Sequence, residues 1–252
     1  MRTVIFFMMF VSLSAWGLSL KEIEADIFGS KKLDKTQVMK KLNDAGKEDK
    51  NLMFYLLGIV HGYGLYGNEV NLKKAEEYLL SLVKLDYKDV NYFLGTLLSR
   101  SSDPQKVREA SAYLINSSAK GDLDALYNLY SLYSEGFYSD KSTLSNLLKS
   151  NLYRGDKDIV IQYGNITLDI YLEKPDEDKM LSVLESLKNI DLKGHEGQYY
   201  YLLAGYYGFP TSPLFDESKS INYLFKSHEH GYAAATKLLV GMELLEKKEG
   251  KR

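Results

Sequence analysis

The chain of 252 residues contains no cysteine, and this absence excludes both disulfides and attachment of lipid through a cysteine thiol. Stability must then come from the apolar core alone. About 235 residues outside a leader, with 45% of side chains apolar, are enough to build one. Neither sign of charge dominates: 32 Lys and Arg stand against 34 Asp and Glu, for a net charge of −2. No basic stripe suits nucleic acid, and no polybasic cluster suits an anionic membrane surface. Long hydrophobic runs are also missing. The longest begins at Val4 and ends by about Leu13, too short for the roughly 20 residues that span a bilayer. With Arg2 before it and Ala15 and Gly17 after it, that run has the layout of a secretory signal peptide, residues 1–17, cut after Gly17. The mature chain, 18–252, is expected to be periplasmic or secreted, with no stable membrane insertion after cleavage.

Catalytic signatures are equally scarce. There is no G-x-S-x-G elbow, no H-E-x-x-H and no cysteine nucleophile. Four histidines are present. His61 falls on the packed face of a helical pattern, and His228 and His230 end another, where an imidazolium complements the helix dipole. Together with His195 they lack a carboxylate at a set spacing, so no metal is expected. Gly62-Tyr63-Gly64-Leu65-Tyr66-Gly67 spells G-x-G-x-x-G, but a helical pattern precedes it where a dinucleotide site requires a strand. It is read as an inter-helix loop, and no cofactor is expected.

What the sequence does contain is a repeat. In Glu109 to Tyr138, Ala110, Tyr113, Leu114 and Ser117 form one helical stripe. Ala125, Leu126, Leu129, Tyr130 and Tyr133 form a second, with Gly121 and Asp122 between them. The pattern recurs at intervals near thirty-five residues, as in a helical solenoid. Asp86, Gly121, Gly155, Leu192 and Gly231 align as the turn after each second helix, where a left-handed residue is favoured. Val90, Ala125, Ile159 and Ala235 follow four residues later, and Leu57-Gly58, Leu94-Gly95, Leu129-Tyr130, Tyr163-Gly164 and Ala204-Gly205 align beyond them. Second helices align on Tyr78, Tyr113, Leu147, Leu184 and Tyr223, with Ala75, Ala110, Leu144, Leu181 and Ser220 three residues earlier. All four prolines, Pro104, Pro175, Pro210 and Pro213, fall between a first and a second helix, where the ring is tolerated.

These columns predict an all-α, right-handed α-solenoid of about five helix-turn-helix repeats: 49–86, 87–121, 122–155, 156–192 and 193–231. A divergent polar pair, Leu20 to Phe28 and Lys35 to Ala45, precedes them. A single helix follows from Tyr232 to Glu246 within a capping segment, 232–248, and the last charged residues fray. Terminal units with polar outer faces suit capping. No linker or composition break divides 18–252, which is read as a single domain.

LGIVHGYGLYGNEVNLKKAEEYL, with Leu57-Gly58, Gly62, Gly64, Lys74-Ala75 and Tyr78, and AYLINSSAKGDLDALYNLYSLYSEGFY resemble the Sel-one-like repeat family, relatives of the tetratricopeptide repeat. The repeats around Ile159 and Leu184 have lost its alanines and its G-x-G loop. The resemblance implies a fold of stacked helix pairs and a role as an adaptor. Secreted bacterial members include envelope regulators and immunity proteins that neutralise delivered toxins. The motif itself specifies packing and not chemistry.

In such stacks the first helices line a concave face that binds polypeptides. Two residues before the Leu-Gly positions or their equivalents stand Tyr55, Tyr92 and Tyr127, with Ile161 in the next repeat, and three residues before the last three of that series stand Asp89, Asp124 and Asp158. Arg100 and Glu135 lie further along. A tyrosine ladder flanked by acids has the composition of a protein-binding hot spot for a basic partner, although tyrosine at these positions also suits the core. A second aromatic patch, with Tyr206, Phe209 and Phe215, surrounds the loop GFPTSPLFDE, which either exposes an interface or tucks back on the last repeat. The expected function is non-catalytic protein binding in the bacterial envelope, most specifically an immunity protein blocking a periplasmic toxin. The alternative is an envelope assembly or signalling adaptor. A glycan binder or hydrolase would require two carboxylates converging in one pocket.

Overall fold

A computed structural model describes residues 20–28, 33–44, 49–188 and 192–245. The predicted leader, its cleavage site and the charged C-terminal residues lie outside these. Among the described residues the secondary structure is helical throughout. No helix among them is long and apolar enough to cross a membrane.

Contacts divide the chain into two compact units, Met1–Ser101 and Ser102–Arg252. The first contains α1 (Leu20–Ile27), α2 (Lys35–Asp44), α3 (Lys50–Tyr63), α4 (Leu72–Val83) and α5 (Val90–Leu98). The second contains α6 (Pro104–Ala119), α7 (Leu123–Ser134), α8 (Lys141–Asn151), α9 (Lys157–Glu173), α10 (Glu177–Lys188), α11 (Glu196–Gly208), α12 (Glu217–Glu229) and α13 (Ala233–Gly241). No shift in composition marks the division, because helix pairs of the same kind occur on both sides of it.

Helix starts follow one chemical rule. Asp49, Asn71, Asp122, Asp140, Asp156 and Asp216 each precede a helix and accept a backbone N–H three residues on, at 2.9–3.1 Å. Asp103 does so two residues on. Each such cap stabilises its helix by about 1 kcal/mol. Helix ends are marked by sign of φ. Gly121, Gly155 and Gly231 take positive values, and Asp86 does so without being glycine. Between α10 and α11 the left-handed residue is Gly194, φ 89°, and not Leu192, which is buried. The two-residue displacement comes from the extra GHEG segment.

Burial confirms most of the aligned columns and moves one of them. Val90, Ala125, Ile159 and Ala235 are fully buried, as are Ala75, Ala110 and Leu144. In α10, however, Leu181 is 45% exposed while Met180 is fully buried. Met180 therefore occupies the position of Ala75 and Ala110, and Leu184 the position of Leu79, Leu114, Leu148 and Leu224. One residue of register distinguishes the two readings. It was invisible in the sequence because Met180-Leu181 offers two apolar side chains in succession.

The G-x-G-x-x-G segment is a loop. Gly64 ends α3 in the left-handed region and returns its N–H to Val60, and a 3-10 turn, Leu65–Gly67, follows. Tyr66 from this turn donates a hydrogen bond to the buried Asp26 of α1, and Lys35 of α2 donates to Gly67 O at 3.0 Å. The loop thus fastens the N-terminal pair to α3. At the other end α13 is shorter than expected. It stops at Gly241, and Glu243 turns the chain with φ 59°. Leu238 of α13 and Met242 just after it are apolar and more than 40% exposed, and the charged end of the expected capping segment, from 246 on, lies outside the described residues.

Candidate functional site

In the first unit the tyrosine ladder loses its first member. Tyr55 is 1% exposed and packs edge-on against Tyr87 and Phe93, with Phe28, just past the end of α1, stacked on it. Burial, and next the charge of Asp89, push its hydroxyl pKa far up. Tyr55 is a core residue because the N-terminal pair, read from sequence only as a polar cap, covers it. Lys88 lies over the rings of both Tyr55 and Tyr87 and forms an ion pair with Glu24. Asp89 is exposed just before α5, Tyr92 is half-buried against Phe93, and the Arg100 guanidinium sits 5.1 Å from the Tyr63 ring centroid.

In the second unit Asp124 and Asp158 occupy the first turns of α7 and α9, where a carboxylate complements the helix dipole. Their recurrence along the chain has this structural cause. Tyr127 hydrogen-bonds Asp156, the cap of α9, and is half-buried beside Asp124 and Asp158. Burial, followed by that bond, raises the tyrosine pKa strongly. Burial of Asp156 opposes its ionisation, but the hydrogen bonds from Tyr127 and two backbone N–H groups prevail and hold its pKa below the ordinary value. Asp158 lies 3.6 Å from His195, which also contacts Gln198. Glu135 is exposed just past the end of α7.

The second aromatic patch separates into three environments. Tyr206 is fully buried. Its hydroxyl donates to Gly164 O at 3.1 Å and lies 3.0 Å from Thr167 Oγ1, joining α11 to α9. It belongs to the core because both partners sit on the buried face of α9, a pairing beyond the reach of periodicity. Phe209 and Phe215 are each 48% exposed. The loop holding them is pinned through Ser212, whose hydroxyl donates to Tyr206 O at 2.7 Å and accepts from Leu214 N at 3.1 Å.

Phe209 borders the feature that sequence reasoning missed, a cavity of about 630 Å³. Leu168, Tyr201, Leu202, Leu238 and Met242 form much of its apolar wall, and Asn165 and Asp169 of α9 supply polar atoms. Its size falls within the range of ligand and side-chain pockets. The close packing of α9 on α11 beneath it depends on Gly164, where an added Cβ would lie 2.3 Å from Leu202 Cδ2. Asp169 is the cavity's charged residue. Tyr133 donates to its Oδ2 at 2.5 Å, and Asn165 reaches the Tyr130 hydroxyl at 3.4 Å. Burial, then the bond to Asp169, pushes the Tyr133 pKa far up, so the hydroxyl stays a donor. The only sequence sign was the pair Asn165 and Asp169, one helical turn apart in the largely apolar run IVIQYGNITLDIYL.

His228 contacts Thr236 at 2.7 Å and His230 packs on Tyr200, so both serve local packing. No group of three or more His, Asp or Glu among the described residues is placed to hold a metal ion.

Helix pairs of this length, closed by left-handed residues and stacked through small buried side chains, define a repeat scaffold. No protein-family model matches the sequence, and no curated protein matches it. Among solved structures the fold is similar to the crystal structure of a Sel1 repeat protein from Oxalobacter formigenes. The TM-score is 0.54 at 15% sequence identity, over 93% of this chain and 94% of that one. The chain has the Sel1-repeat fold, as its repeat columns led one to expect.

Proposed function

We propose that the protein is a non-catalytic, protein-binding repeat protein of the bacterial envelope, and that it acts as an immunity protein which binds and blocks a toxin delivered to the periplasm. The observation that carries the binding reading is the cavity. It is large, mostly apolar and bordered by exposed Phe209, Leu238 and Met242, the composition of a pocket that receives an anchor side chain from a partner. The exposed acids Asp124 and Asp158 on the same unit favour a partner with a basic surface. Among the described residues Asp169 is the one carboxylate lining the cavity, and these offer no carboxylate pair for glycoside hydrolysis. Blocking by occupancy requires only affinity for the toxin, and no catalytic group.

The test uses tagged residues 18–252 as bait, with identification of the captured protein and titration of the complex. The expected result is a stoichiometric complex that Leu238→Asp weakens at least tenfold, and exported bait that protects cells making the captured protein. A captured protein that is harmless to cells removes the immunity role and leaves an assembly adaptor. A complex indifferent to Leu238→Asp removes the cavity from the interface.

A further inference from the structure

We infer that the cavity of the second unit recognises an extended polypeptide segment carrying a bulky apolar side chain and, two residues away, a lysine or arginine that pairs with Asp169. The inference rests on the protein-binding reading and specifies the partner's local chemistry.

Three observations carry it. The wall is apolar, from Leu168, Leu202, Leu238 and Met242 to the rings of Tyr201 and Phe209, and so selects an apolar anchor. Asp169 lies in that wall, and among the described residues no lysine or arginine is paired with it. Its bond is a neutral one from the Tyr133 hydroxyl to Oδ2, which orients the carboxylate and leaves Oδ1 for an incoming donor. The neighbouring acid Glu173 is already engaged by Lys141, so the unmatched charge is localised at Asp169.

A polypeptide lying over the cavity displaces water from Asp169. A carboxylate stripped of water without a counter-charge is costly, so a neutral or acidic segment is penalised and a cationic one is not. Discrimination then arises as much from what is rejected as from what is attracted. The spacing follows from size. A cavity of 630 Å³, taken as a sphere, is about 11 Å across. Residues i and i+2 of an extended segment project to the same side, about 7 Å apart. One of them fills the cavity while the other reaches its charged wall.

Three capped tripeptides test this: acetyl-Phe-Ser-Lys-amide, acetyl-Phe-Ser-Gln-amide and acetyl-Phe-Ser-Glu-amide. Each is titrated into isotopically labelled protein while amide resonances of α9 and α11, including Gly205 and Gly208, are followed by NMR. The lysine peptide is expected to bind about three- to fivefold more tightly than the glutamine peptide, the size of a partly exposed ion pair, and the glutamate peptide more weakly than both. Asp169→Asn should abolish the lysine preference, and the glutamine peptide should bind at least as tightly as to the parent because the cost of desolvating the carboxylate is gone. Tyr133→Phe, which keeps the charge and loosens its orientation, should reduce the preference only in part. Leu238→Gln, a neutral change at a 43% exposed position that folding tolerates, should weaken all three peptides.

Equal affinities, a preference for the glutamate peptide, shifts confined to residues away from the cavity, or no shift with any peptide at several millimolar each overturns the inference. The two readings fail separately. A bait carrying Asp169→Asn that still captures its protein at full affinity sinks the charge pairing and leaves protein binding intact. A lysine preference in a chain that captures no protein sinks protein binding and leaves the recognition chemistry.

Discussion

Replacing Tyr206 by phenylalanine and by alanine separates a core role from a surface role. The side chain is fully buried in α11. Tyr206→Phe removes the bond to Gly164 O and the contact with Thr167 Oγ1. Thr167 keeps its own bonds to Tyr163 O at 2.7 Å and Gly164 O at 3.0 Å, so the threonine hydroxyl is not orphaned. The loss should therefore be that of one satisfied hydrogen bond, about 1 kcal/mol. Burial raises the tyrosine pKa strongly, so the hydroxyl is un-ionised and the loss is the same from neutral to mildly alkaline pH. Tyr206→Ala also removes the ring from between α9 and α11, where it fills space above Gly164. That costs about 3–5 kcal/mol. For a chain of this length these correspond to decreases in Tm of about 3 °C and about 12 °C. Urea unfolding followed by circular dichroism at 222 nm supplies both midpoint and slope. A Tyr206→Ala variant within about 1 kcal/mol of the parent, or one no less stable than Tyr206→Phe, refutes the placement of this residue in the core.

Two further perturbations address the first unit and the α6–α7 seam. His61 stacks on Tyr78 with centroids 5.9 Å apart, and burial, followed by the charge of Lys74, lowers its pKa. The unfolded chain binds this proton more readily than the folded one, so the stability from neutral His61 is present above about pH 6.5 and is lost as pH falls through the folded value. His61→Phe should flatten that decline between pH 7.5 and 5.0 in paired denaturation curves, and an unchanged slope would count against it. Asp122 caps α7 through Ala125 N at 3.1 Å and accepts from the buried Ser117 hydroxyl at 2.8 Å. Asp122→Ala should cost about 2 kcal/mol, one part for the cap and one for the stranded hydroxyl, and Asp122→Asn much less. Equal urea midpoints for the two variants would contradict this account.

Local chemistry was legible where a residue acts through its neighbours in sequence. Gly121 and Asp122 marked a turn because a left-handed glycine and a capping carboxylate act within a few residues of themselves. Pro104 marked the start of α6 for the same reason. Legibility failed where the deciding contact came from far along the chain. Tyr55 had the spacing of an exposed ladder, but Phe28, from an element read as peripheral, closes over it. Tyr206 lay in a run of tyrosines whose members differ only by what α9 places opposite them. The cavity was hidden for a further reason. It is defined by side chains from α9, α11, α12 and α13, and no periodic pattern describes a space between four helices. Asp124 and Asp158 were found by their recurrence, yet their recurrence expresses the helix dipole at each first turn, while Asp169, which does not recur, lines the cavity.

The residues that close the second helices carry a broader consequence. Asp86, Gly121, Gly155, Gly194 and Gly231 share a positive φ. At Gly155 and Gly231 an added Cβ meets no neighbouring atom within 4 Å. Nothing at those two positions depends on side-chain contact. The boundary between one unit and the next is stored as a reversal in backbone hand, and Asp86 shows that an aspartate can carry the same mark. Around these points the buried columns accept alanine, valine, leucine, isoleucine or methionine according to what lies opposite. An architecture held in this way can pass through extensive sequence drift with its spacing preserved, since what is inherited is the rhythm of the reversals and not the letters between them.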